Sequence, residues 1–67
     1  MNSQLKRGQS VRVRAYGGEI LERIVVADLG RTVIISDAQE FHRAIDANRE
    51  PEGVGFPRKD VISATQN

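Results

Sequence analysis

Side chains able to do acid–base, nucleophilic or metal chemistry are few in this chain, and their spacing works against each use. His42 is the only histidine and there is no cysteine, so a transition-metal site lacks the second imidazole or thiolate it needs. Asp37, Glu40 and Asp46 are spaced to spread around a helix, which excludes an oxygen cage for Mg²⁺ or Ca²⁺. Ser36, His42 and Asp46 are the residue types of a catalytic triad, yet they fall within eleven residues, on a strand end and one short helix, with no evident pocket or oxyanion hole. His42 reads as a surface residue beside Phe41. Glu19 and Glu22 make a carboxylate pair suited to general acid–base work, but Arg12 and Arg14, expected across a hairpin, are their natural partners. Gly17-Gly18 has the freedom to approach a phosphate, but neither a Lys-Ser/Thr pair nor a helix start follows it. No catalytic residue, metal or cofactor is therefore expected.

The elements that would position these groups are mostly strands. Val11-Arg12-Val13-Arg14-Ala15 alternates strictly, putting the valines and Ala15 on one face and the arginines on the other. Gly17-Gly18 then supplies the positive backbone angles of a tight reversal. Residues 20–28 are rich in β-branched side chains with an alternation that slips near Glu22, predicting a long second strand that bends or bulges there. Leu29-Gly30-Arg31 is the next turn and residues 32–36 the third strand. Asp37 and Glu40 have the spacing of a capping box, and Phe41, Ala44 and Ile45 make a narrow apolar stripe, so a helix is predicted over 38–47. Asn48 suits the left-handed position that closes a helix, and Pro51 lies beyond. Pro57 ends a fourth strand begun at Val54 and opens a tight turn to Asp60, after which residues 61–64 form the fifth.

With 67 residues the chain makes one domain, its core at about residues 8–64, with frayed ends at residues 1–4 and 65–67. A domain of this size buries about 60% of the surface its unfolded chain exposes, so its stability is marginal or shared with a partner. Hydrophobic residues at 39% are too many for disorder. The longest apolar runs, Ile24-Val25-Val26-Ala27 and Val33-Ile34-Ile35, are far too short to span a bilayer, and no secretory signal opens the chain, so a cytoplasmic location without membrane contact is expected. In those two runs neighbouring apolar residues point to opposite faces of a sheet; either the helix or a second subunit must cover the outer face.

Gly8-Gln9-Ser10-Val11-Arg12-Val13 resembles the first strand of SH3-like and Tudor-like barrels. Gly55-Phe56-Pro57-Arg58-Lys59-Asp60-Val61 is similar to the glycine, aromatic, proline, three-residue spacer and valine that join the last two strands of SH3 domains through one 3₁₀ turn. Over residues 8–64 the chain resembles small stand-alone bacterial SH3-like barrel proteins of unassigned function. The resemblance implies a mainly β fold: a five-stranded SH3-like barrel with one short helix inserted between the third and fourth strands. It does not extend to ligand recognition, because Tyr16, Phe41 and Phe56 are dispersed and there is no Trp, whereas polyproline grooves and methyl-lysine cages need several rings together. Plasmid-type dihydrofolate reductases, SH3-like barrels assembled around a pore, differ in the comparable strand, where this chain has Val54-Gly55-Phe56, and an enzyme site shared around an assembled pore stays open as a third, least favoured reading.

These readings point to a non-catalytic interaction module that binds a protein partner, copies of itself included. Weak sequence-independent binding of nucleic acid is the alternative. The net charge is only +1, but residues 1–18 carry four cations and no acid, a local +4, while residues 36–52 carry five acids and two arginines, a local −3. If the first and last strands pair, Lys6, Arg7, Arg12, Arg14, Arg58 and Lys59 form a basic stripe for a phosphate backbone, with Tyr16 as a stacking platform.

Overall fold

A computed structural model describes residues 4–64. Of the ends expected to fray, residues 1–3 and 65–67 lie outside the described residues. Five strands, β1 (Ser10–Arg14), β2 (Ile20–Asp28), β3 (Thr32–Ser36), β4 (Val54–Pro57) and β5 (Val61–Ala64), form one antiparallel sheet in the order β4-β3-β2-β1-β5. The helix α1 (Ala38–Asp46) lies between β3 and β4. The protein is thus mainly β with one short helix.

The alternation read in β1 is the core pattern. Val11 and Val13 are wholly buried while Arg12 and Arg14 are exposed. Val25, Val33 and Ile35 complete the core, with Leu5, Leu21, Phe56, Val61 and Ala64 packed around it. Gly17 (φ 87°) and Gly18 (φ 88°) turn the chain from β1 into β2, a conformation that a side chain would strain.

The irregularity in β2 sits at Val26 rather than near Glu22. Val25 pairs with Ile35 and Ala27 with Ile34, leaving Val26 as an extra residue. On one side of this bulge Leu21 pairs with Val13 and Arg23 with Val11, so odd-numbered residues share the core side. Beyond it the parity is inverted, and Asp28 pairs with buried Val33. The bulge buries Val25 and Val26 together and turns an acid toward the end of the core.

The helix follows its expected span, with a difference at its start. Asp37 caps it by accepting the Gln39 N–H at 3.0 Å, but Glu40 does not reciprocate. Glu40 accepts instead from Arg49 and from the Glu52 N–H, because the chain folds back over the helix start and brings a guanidinium within reach. Asn48 takes φ 58°, with Arg49 N–H donating to Ala44 O and Asn48 N–H to Ile45 O, the double bond of a left-handed helix stop. The helix packs on β2 of its own sheet. Within the apolar stripe Ala44 is fully buried and Ile45 is half exposed, since close packing favours the small residue.

Candidate functional site

A largely apolar groove lies where β4 faces the β1–β2 turn. The groove, of about 510 Å³, is walled by residues 14–18 on one side and by Gly55, Phe56, Pro57 and Asp60 on the other. Its position follows from the topology: β1 places Arg14 and the turn at one end of the sheet, and the 3₁₀ turn Arg58–Asp60 carries the chain from β4 to β5, which pairs with β1. Tyr16 is fully exposed at the rim. Phe56 packs against the core and also lines the groove. Phe56 is shared with a second depression of about 450 Å³, more polar, between Leu21 and Arg23 of β2 and the acids Asp37, Glu40 and Glu52.

β4 is an edge strand of the sheet, with one side of its backbone unpaired. The Arg58 N–H donates to Arg31 O at 2.8 Å, so the alternation of an antiparallel ladder makes Val33–Phe56 and Ile35–Val54 the next hydrogen-bonded pairs. Gly55 N–H is then directed to the open edge, and Pro57 has none to offer.

The expected basic stripe is divided by its partners. Arg12 pairs with Glu22 at 3.6 Å, as the hairpin register dictates. Arg7 bonds Glu50 at 3.0 Å and Val26 O at 3.3 Å, and its guanidinium stands 5.9 Å from the Phe41 ring centroid. Arg58 pairs with Asp28 and donates to Gly30 O at 2.6 Å. Lys6, Arg14 and Lys59 hold no carboxylate among the described residues. Arg14 and Tyr16 come together in the groove wall.

Asp28 is a group that sequence reasoning missed. Its side chain is 2% exposed and gathers Arg58, the Leu5 N–H at 2.8 Å and the Gly30 N–H at 2.9 Å. Arg58 first, and then the two N–H groups, hold its carboxyl at about 2 against an ordinary 3.8. Arg49, followed by the Glu52 N–H, holds Glu40 at about 2 against 4.5. Both acids tie separate segments of the chain together. Ser36 Oγ donates to Asp37 O at 3.2 Å, His42 is exposed, and no hydrogen bond among the described residues links Ser36, His42 and Asp46. Nor do three or more acids or histidines gather there as a metal site. No helix among the described residues is long and apolar enough to cross a membrane. No protein-family model, curated protein or solved structure matches the chain.

Proposed function

We propose that the chain is a small SH3-like barrel protein, of the stand-alone bacterial kind, acting as a non-catalytic interaction module whose protein partner seats in the groove between the β1–β2 turn and β4. The sheet order, with β5 returning to pair with β1 after one 3₁₀ turn, supports the barrel assignment. The observation that carries the binding role is the fully exposed Tyr16 standing over a groove floored by Phe56 and Pro57. Aromatic rings at a concave apolar surface are the common anchors of protein interfaces. An exposed tyrosine on a glycine turn makes no contribution to the core, so its placement there fits recognition better than folding. The nucleic-acid alternative draws on fewer groups, because Arg7, Arg12 and Arg58 already hold carboxylates.

The test is paired affinity capture with wild-type protein and Tyr16→Ala. A polypeptide retained by the first and lost by the second, with circular dichroism unchanged, is the expected result. Equal recovery by both proteins, or capture of nucleic acid alone, would remove the groove as a protein-binding site.

A further inference from the structure

At the edge of the sheet the chain carries no charged side chain from Gly53 to Pro57, although exposed edges are commonly blunted by charges that discourage pairing. Gly55 N–H faces outward, and so does its carbonyl; the same alternation, continued back to Gly53, turns both backbone groups of that residue outward as well. The Gly53 N–H donates to no backbone carbonyl among the described residues. Between the two glycines, Val54 stands opposite buried Ile35 on the core side of the sheet, yet it is 62% exposed, at an edge with no strand beyond it. The ends of this stretch bear opposite charges. Glu52 precedes it and Lys59 follows it, both exposed, and neither joins a salt bridge among the described residues.

We propose that this edge pairs with a second copy of the chain, the two β4 strands running antiparallel about a two-fold axis at Val54. In that register Gly53 of each copy exchanges both backbone bonds with Gly55 of the other. The two Val54 side chains then face each other at the close, non-hydrogen-bonded position, each covering the other's exposed surface. Pro57 falls beyond the bonded residues and stops the ladder from lengthening. Charge selects the second copy and its direction: antiparallel pairing brings the Glu52 end of each strand toward the Lys59 end of the other, whereas a parallel copy would set like charges together. The sheet's other edge, β5, is followed by uncharged residues and offers nothing to Glu52. The proposal goes beyond the groove reading, since it uses the strand edge and not Tyr16.

The experiment is sedimentation equilibrium of the wild type over a concentration series, where a dimer is expected. Val54→Lys and Val54→Glu each set like charges face to face across the axis and are each expected to weaken the dimer about tenfold. An equimolar mixture of the two is expected to recover it, with circular dichroism showing that both fold. The chain has no cysteine, so Val54→Cys reports the contact directly: it is expected to give a disulfide-linked dimer on air oxidation, because side chains at this position lie within reach of the bond. Ile62→Cys, on exposed β5, is expected not to cross-link, and Tyr16→Ala to dimerise as the wild type does. A wild type that stays monomeric throughout would overturn the proposal, and a polypeptide then lost from Tyr16→Ala alone would leave the groove reading intact. Dimerisation that survives both Val54 charges, or that Tyr16→Ala abolishes, would overturn it by moving the contact to another surface. Cross-linking through Ile62→Cys instead of Val54→Cys, or assemblies larger than a dimer, would overturn it in favour of β5. The expected dimer, with equal capture by wild type and Tyr16→Ala, would remove the groove and uphold the edge.

Discussion

At Asp28 a single carboxylate ties together three segments distant in sequence: the N-terminal stretch through Leu5, the β2–β3 turn through Gly30, and the turn before β5 through Arg58. Asp28→Asn keeps the size but loses the charge that Arg58 needs, leaving a guanidinium and an N–H poorly paired beside the core. A loss of about 2 kcal/mol is expected, read from urea denaturation of both proteins. The pH dependence follows from the same contacts. The carboxyls of Asp28 and Glu40 titrate lower when folded than when unfolded, at about 2 against 3.8 and 4.5. The unfolded chain therefore takes up protons first as the solution is acidified. The stability these groups contribute is complete above about pH 4.5 and drains away as the pH falls toward 2. The urea midpoint is expected to fall across that window and to fall less steeply in Asp28→Asn; parallel profiles would show that other groups control acid unfolding. Nothing local in the sequence marks Asp28, because its role depends on a bulge hidden in the run Ile24-Val25-Val26, where every position is apolar and the face of each cannot be read.

The strands themselves were legible, since alternation in β1 and the glycine and proline punctuation around β2, β3, β4 and β5 are local signals. The same holds for the helix stop: Asn48 takes φ 58°, and Asn48→Val is expected to lower the thermal midpoint through a cost of about 1–2 kcal/mol, whereas Asn48→Gly leaves it nearly unchanged. Less legible was the tight crossing before β4, which depends on packing. A Cβ at Gly53 would lie 2.7 Å from Ile34 Cγ2 and 2.9 Å from the Ile35 carbonyl oxygen. The side chain could rotate, but the backbone oxygen belongs to the β3–β4 ladder. Gly53→Ala is accordingly expected to destabilise by about 1–3 kcal/mol, measured by thermal unfolding. The groove escaped the sequence for a related reason: Tyr16 and Phe56 are forty residues apart in the chain and line one groove only through the tertiary arrangement of the strands.

For the whole molecule, charge is arranged as local pairs rather than as a field. The N-terminal excess of cations and the acidic stretch at residues 36–52, separate in sequence, meet in space at Arg7 and Glu50, while Arg58 is drawn to Asp28 and Arg12 to Glu22. A duplex gains affinity by replacing condensed counterions with several cations at once. Here Lys6, Arg14 and Lys59 are the members of the expected stripe without carboxylates, and Arg14 lies at the opposite end of β1 from Lys6. With a net charge of +1, there is little long-range attraction to compensate for that separation. Labelled DNA and RNA are therefore expected to show no micromolar binding at moderate salt. The slope of any low-salt binding against salt concentration should correspond to about three phosphate contacts or fewer. A slope for six contacts, reduced by Arg12→Ser together with Arg14→Ser, would mean that the ion pairs open on meeting phosphate, and would make the basic strand face the functional surface in place of the Tyr16 groove.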